Sequence, residues 1–193
     1  MKEVCVYAAS SAEVAPAYLD AAYRTGQLLA RCGFGVVNGA GRRGLMRALS
    51  DGALQAGGEV TGIIPRFMLE KGWQYDALTR IIPTETMHRR KQLMAERSSA
   101  AIALPGGYGT LEELSEIITW KQLGLYPHPV VILNTCDFYA PLIGWFRRAV
   151  EEKFIPHCHA ALWHVAATPE EAVESICRAP RWDPALSKLS LQE

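Results

Sequence analysis

Three short stretches of this chain carry residues whose types and spacing could do chemistry. The first reads Pro105, Gly106, Gly107, Tyr108, Gly109, Thr110, Leu111, Glu112, Glu113. Its proline and glycines form a loop with few side chains, so backbone N–H groups stand bare. A helix N-terminus just beyond adds partial positive charge, and the combination binds phosphate. Thr110 reads as the N-cap of that helix, with Glu112 and Glu113 in its first turn. A phosphate site gains nothing from carboxylates, so the two glutamates imply chemistry beside the phosphate. A capping box between Thr110 and Glu113 is the competing local reading. It leaves Glu112 and the three glycines unexplained.

The second stretch, Gly39, Ala40, Gly41, Arg42, Arg43, Gly44, fits G-x-G-x-x-G. Taken alone, a tight turn explains it as well as phosphate binding does. Its use for dinucleotides places it after the first strand, with an acid about 20 residues on. Here it follows the second strand, and Glu59 stands in the wrong register. No G-K-[ST] exists, which removes the P-loop reading. The third stretch is Met87, His88, Arg89, Arg90, Lys91. A solvated basic helix face is the ordinary fate of such a run. This helix, however, leads into the strand that ends at Pro105, so Arg90 can offer a bidentate fork to phosphate or base. Arg97 lies two turns on, on the same face. His157, Cys158, His159 and His164 invite a metal reading. The i, i+2 spacing and the lack of a nearby fourth ligand favour a surface or interface role. Trp120, Trp145 and Trp163 read as core or dimer contacts.

These stretches need elements to hold them. Apolar runs predict strands over 4–8, 35–38, 60–64, 101–104, 130–133 and 162–166, with a further short one over 78–82. Helical spacing predicts helices over 16–31, 45–56, 86–97, 111–123, 139–153 and 169–177. The strands are continuous apolar runs, so both sheet faces are covered. The fold class is therefore α/β: a three-layer, Rossmann-like domain with a mostly parallel sheet, spanning 1–180 and followed by a tail over 181–193. In such sheets ligands bind at the carboxyl ends of the strands. The loops 9–11, 39–44 and 105–110 all open there. Segment 66–76, with Trp73 and Tyr75, is the least regular; a lid and a dimer contact are its two open readings.

Composition excludes several classes. The 193 residues fit one domain, with 49% hydrophobic and 21% charged residues. Twenty basic and 20 acidic residues cancel, which leaves no excess to neutralise a nucleic-acid backbone. No apolar run approaches the roughly 20 residues that span a bilayer, and the N-terminus lacks a signal-peptide layout. Five scattered cysteines without a C-x-x-C pair predict a reducing, cytoplasmic setting.

The chain resembles the Lonely-Guy family of cytokinin-activating enzymes, also filed as lysine decarboxylase-like. The signature P-G-G-x-G-T-x-x-E stands at 105–113, M-H-x-R-K at 87–91, and the glycine loop before G-L-M at 38–46. The likeness runs from Val4 to about Val173. It implies a phosphoribohydrolase that splits a nucleoside 5′-monophosphate, a cytokinin riboside monophosphate or AMP, into free base and ribose 5-phosphate. Arg90 and Glu113 would be the catalytic pair. Ser10, Gly41, Gly44, Met87, Lys91, Pro105, Gly106, Gly107, Gly109, Thr110 and Glu112 would hold substrate alongside Arg90. No metal or other cofactor is required, and a homodimer is implied. The family often has glycine where Ala9 and Ala40 stand, so an added methyl is expected to narrow the pocket. A nucleotide-binding module without turnover is the alternative. True lysine decarboxylation would need pyridoxal phosphate, and Lys91 is the one candidate lysine, in a basic run with no acid placed for the pyridinium nitrogen.

Overall fold

Alternate residues of each strand go to opposite cores, and this divides the molecule into three layers. Val4 and Val6 of β1 (Glu3–Tyr7) join one core, whereas Cys5 and Tyr7 join the other. Ile102 and Ala101 of β5 (Ser98–Ala103) separate the same way, as do Val131 and Val130 of β6 (Val130–Leu133). The first core is closed by α1 (Pro16–Arg31), α2 (Gly44–Gln55) and α7 (Pro169–Arg178). The second is closed by α4 (Met87–Arg97), α5 (Tyr108–Gln122) and α6 (Ala140–Glu151). Strands buried on both faces have no use for a polar alternation, which is why they read as unbroken apolar runs.

The computed structural model describes residues 1–179 and 182–183. The remaining strands are β2 (Gly35–Asn38), β3 (Val60–Pro65), β4 (Arg80–Thr84) and β7 (His164–Ala166). The order is β4-β3-β2-β1-β5-β6-β7, and every pairing is parallel. The chain winds outward from β1 to β4, then returns to place β5 on the other side of β1. That reversal opens a crevice at the carboxyl ends of β1 and β5.

Several elements differ from expectation. The strand expected over 78–82 begins at Arg80, because Leu78 is drawn into the first core as a loop residue. Pro83 is tolerated there because β4 is an edge strand. Segment 66–76 holds a short helix, α3 (Arg66–Glu70), and then pairs back on the 39–44 loop through an antiparallel bridge of Gly41 with Gln74. Of the expected tail only Trp182 and Asp183 lie among the described residues. Trp182 is buried and its backbone N–H donates to Pro127 O at 3.2 Å.

Candidate active site

The loop after β5 delivers α5 with its N-terminus open. Gly107 is the N-cap, so the helix begins at Tyr108, and no side chain caps it. Thr110 is therefore not the cap, and the capping box with Glu113 does not form. Thr110 sits in the first turn with its side chain buried beneath Gly106. Glu112 and Glu113 consequently fall in the second turn, not the first. The amides of the first turn are left without intrahelical acceptors. The N-terminus of α2 is likewise without a side-chain cap, whereas α4 and α7 are capped by Thr86 and Thr168.

Both open ends border one cavity of about 840 Å³ at the carboxyl edge of the sheet. Of the expected site residues, Ser10, Gly41, Met87, Arg90, Gly107, Gly109, Thr110, Glu112 and Glu113 line it. Pro105, Gly106, Gly44 and Lys91 do not. Pro105 is buried behind the loop. Gly44, at φ 62°, lets the start of α2 pass so close to Ser10 and Ser11 that a Cβ would meet Ser11 O at 2.3 Å. Lys91 points away: its ammonium is bonded to Glu112 and to Glu116, the latter at 3.1 Å. Arg97 also turns from the cavity, pairing with Glu3 at 2.7 Å beside the amino end of β1.

The chemical centre is the meeting of α4 with α5. Arg90 Nη2 stands 3.5 Å from Glu113 Oε1, with each side chain 10% exposed. Arg90 Nη1 reaches Met87 Sδ at 3.6 Å, and Arg90 Nε is buried with no hydrogen-bond partner. The guanidinium occupies space that only glycine at 39 leaves, since a Cβ there would lie 2.0 Å from Arg90 Nη2. Burial pushes the Glu113 carboxyl above its ordinary pKa; the Arg90 charge opposes this but does not cancel it. A buried carboxyl with a raised pKa, beside an incompletely paired arginine and in a cleft, is a functional-site candidate.

Sequence reasoning missed one wall. Met46, Met68 and Trp73 line the cavity, and Tyr108 stands at its rim with 94% exposure. Periodicity carried no signal for Trp73, because a bridge to a distant loop puts it there. The two departures at alanine also separate. Ala9 lines the cavity, where an added methyl was expected. Ala40 does not: its methyl is buried against Gly62, where any Cβ would come within 2.6 Å. Ala40 adopts φ 62°, at a cost of about 1 kcal/mol for a residue with a Cβ. Its N–H donates to Asn38 Oδ1 at 2.9 Å and its carbonyl accepts from Tyr75 N–H at 2.8 Å, which holds the turn.

A family model described as possible lysine decarboxylase matches residues 46–176. The chain belongs to this family, the one whose motifs the sequence displays. Among its Lonely-Guy relatives is a cytokinin riboside 5′-monophosphate phosphoribohydrolase of Arabidopsis thaliana, 38% identical over 98% of this chain and 89% of the relative. A rice relative, from Oryza sativa subsp. japonica and named as a probable enzyme of the same type, is 38% identical over 97% of this chain and 78% of its own. In fold the chain is similar to the molybdenum cofactor carrier protein of Chlamydomonas reinhardtii, with a TM-score of 0.72, 24% identity, and coverage of 92% and 98%. Among the described residues no helix is long and apolar enough to cross a membrane, and no cluster of three or more His, Cys, Asp or Glu could hold a metal ion.

Proposed function

We propose that this protein hydrolyses the N-glycosidic bond of a nucleoside 5′-monophosphate, a cytokinin riboside 5′-monophosphate or AMP, to the free base and ribose 5-phosphate. One observation carries the reading: a buried, under-paired Arg90 and Glu113 share a cavity with the uncapped start of α5. The relatives' activity points the same way.

The 5′-phosphate binds the free amides of the α5 first turn, with the Thr110 hydroxyl and Ser10 beside it. That anchor presents the anomeric carbon to the Arg90–Glu113 pair. As the C1′–N bond breaks, its electron pair leaves with the base and positive charge develops on the sugar. The Glu113 carboxylate stabilises that charge and takes a proton from the water that forms the new C1′–O bond, and that proton passes to the departing base, so that the base leaves neutral and Glu113 is again ionised. Arg90 holds Glu113 in place and offers its free N–H groups to the phosphate or the departing base. Glu112, at the cavity edge, serves a ribose hydroxyl.

The proposal includes a homodimer in the cytoplasm. Exposed Tyr108 and Leu111 on α5 supply an apolar surface beside the cavity, and all five thiols are free. Sedimentation tests the first point. The activity is tested by incubating the protein with a panel of nucleoside monophosphates and detecting free base by chromatography. Nucleotide binding without release of base from any of them would leave a binding module in place of an enzyme.

A further inference from the structure

The cavity has a direction set by strand order. Thr110 follows β5, Ser10 follows β1, Gly39 follows β2, and Met68 with Trp73 follows β3. With neighbouring strands about 4.8 Å apart, β5 to β3 spans about 14 Å, the scale of an extended nucleotide. The Arg90–Glu113 pair lies between the ends. Arg90 abuts Gly39 of the β2 loop, and Glu113, on the helix after β5, stands 3.5 Å from Arg90. With phosphate at the open start of α5 and the anomeric carbon at the pair, the base extends toward β3.

That far end is apolar and aromatic. Ile64, Met68 and Trp73 line it; Met46 stands between them and Arg90, beside Gly39 and Gly41, and Arg42 and Arg43 also border the cavity. Trp73 is fixed through its backbone: its N–H donates to Met68 O at 3.2 Å and its carbonyl accepts from Arg42 N–H at 3.3 Å. The neighbouring Gln74 bridges to Gly41. The Lys71 ammonium lies over the indole, 5.2 Å from the ring centroid. Still, Trp73 remains 46% exposed. An indole anchored on a cavity wall, with a cation over one face and about half its surface exposed, offers a stacking face.

We propose that Trp73 is the specificity-determining residue, stacking on the nucleobase and so selecting purine nucleotides over pyrimidine ones. Met68 and Met46, flexible and polarizable, adapt to apolar substituents on the purine. This assignment rests on the nucleotide reading of the cavity, and it concerns which base is taken rather than whether bond cleavage occurs.

The test compares wild type, Trp73→Ala and Trp73→Phe with AMP, an N6-alkylated AMP and UMP, and measures inhibition by ribose 5-phosphate. Trp73→Ala raises KM for both purine nucleotides on the order of ten-fold, the usual scale of a lost stacking partner. Their advantage over UMP shrinks, kcat changes little, and Trp73→Phe recovers most of the loss. Inhibition by ribose 5-phosphate, which has no base, stays as in wild type. An unchanged purine KM, or a matching loss of ribose 5-phosphate binding, overturns the assignment; the latter would mean that the wall merely shapes the loop. If wild type releases no base, the hydrolase reading fails separately. The role of Trp73 is then decided by the same comparison of dissociation constants for AMP and ribose 5-phosphate.

Discussion

Two ion-pair groups join α4 to α5, built from residues adjacent in sequence and opposite in fate. Arg90 meets Glu113; Lys91 meets Glu112 and Glu116. One residue along a helix is a rotation of about 100°, enough to put Arg90 and Glu113 in the cavity wall and leave Lys91 and Glu116 out of it, with Glu112 at the edge between them. The outer group is satisfied. Burial works against the Lys91 charge, but the hydrogen bonds it donates to Glu112 and Glu116 outweigh this and raise its pKa. The inner group is not satisfied: the Arg90–Glu113 approach is long, Arg90 Nε has no partner, and burial dominates the Glu113 pKa. Buried charge left half-paired costs stability. Arg90 and Glu113 both line the cavity in which the proposed function places the sugar phosphate. The outer group holds the helices together, and in the proposed function the inner one is spared for substrate.

Changing Glu113 tests this contrast hardest. Glu113→Gln lowers kcat by about a thousand-fold, the range for loss of a positioned acid–base group. Glu112→Gln, measured in the same assay, costs less than about ten-fold, because an exposed carboxylate contributes little. The melting temperature of Glu113→Gln does not fall at neutral pH. Below the ordinary glutamate pKa the carboxyl is neutral in both native and unfolded chains. As pH rises, the unfolded chain loses its proton first, so the native state is progressively disfavoured until its own raised pKa is passed. Removing the charge relieves that penalty. A large drop in melting temperature would make the inner pair a structural bridge like the outer one.

Arg90→Met follows. It lowers kcat/KM by about a hundred-fold, through lost contacts to substrate. It also moves the acid limb of the pH–rate profile. In wild type that limb lies above the usual carboxylate range, because the reaction needs ionised Glu113 and burial raises its pKa. Without the arginine the opposing charge is gone and the limb shifts further up. A limb that stays put would assign it to a group other than Glu113.

Much of this was legible beforehand, and the limits have physical causes. The bounds of α1, β2 and β6 match the expected ranges because apolar runs and flanking Pro16, Gly33 and Gly35 mark them locally. The start of α5 lies three residues before the expected one, since Gly107 is its N-cap and Thr110 only looks like a cap. The basic run at 87–91 announced a cation at the site. Which of Arg90 and Lys91 faces the cavity depends on how α4 is rotated against the sheet, and no local pattern encodes that. Trp73 was out of reach for the same reason: its place follows from the pairing of Gln74 with Gly41 across more than 30 positions.

Gly39→Ala sharpens the comparison without touching a charge. The new methyl would meet Arg90 Nη2 at 2.0 Å. The struck atom ends a flexible side chain, so the guanidinium yields and the fold survives. Displacement on the order of 1 Å costs up to about a hundred-fold in rate. We expect about ten-fold in kcat, smaller than for Arg90→Met because the cation remains. Unchanged kinetics would show that the position of Arg90 is not critical.

Lys91→Met should do least to catalysis. Its volume keeps the buried methylenes packed, and Glu112 and Glu116 retain access to water, with 55% and 27% of their side chains exposed. The lost pairing therefore costs about 1 kcal/mol of stability, read as a modest fall in melting temperature. Activity stays within about three-fold of wild type, because the ammonium faces away from the cavity and acts on Glu113 only through Coulomb attraction. That attraction is a minor one beside burial, so its loss nudges the acid limb upward in the same direction as Arg90→Met but by less. A catalytic defect as deep as that of Arg90→Met would abolish the distinction between the two groups, and α4 and α5 would have to be treated as one cooperative charge network.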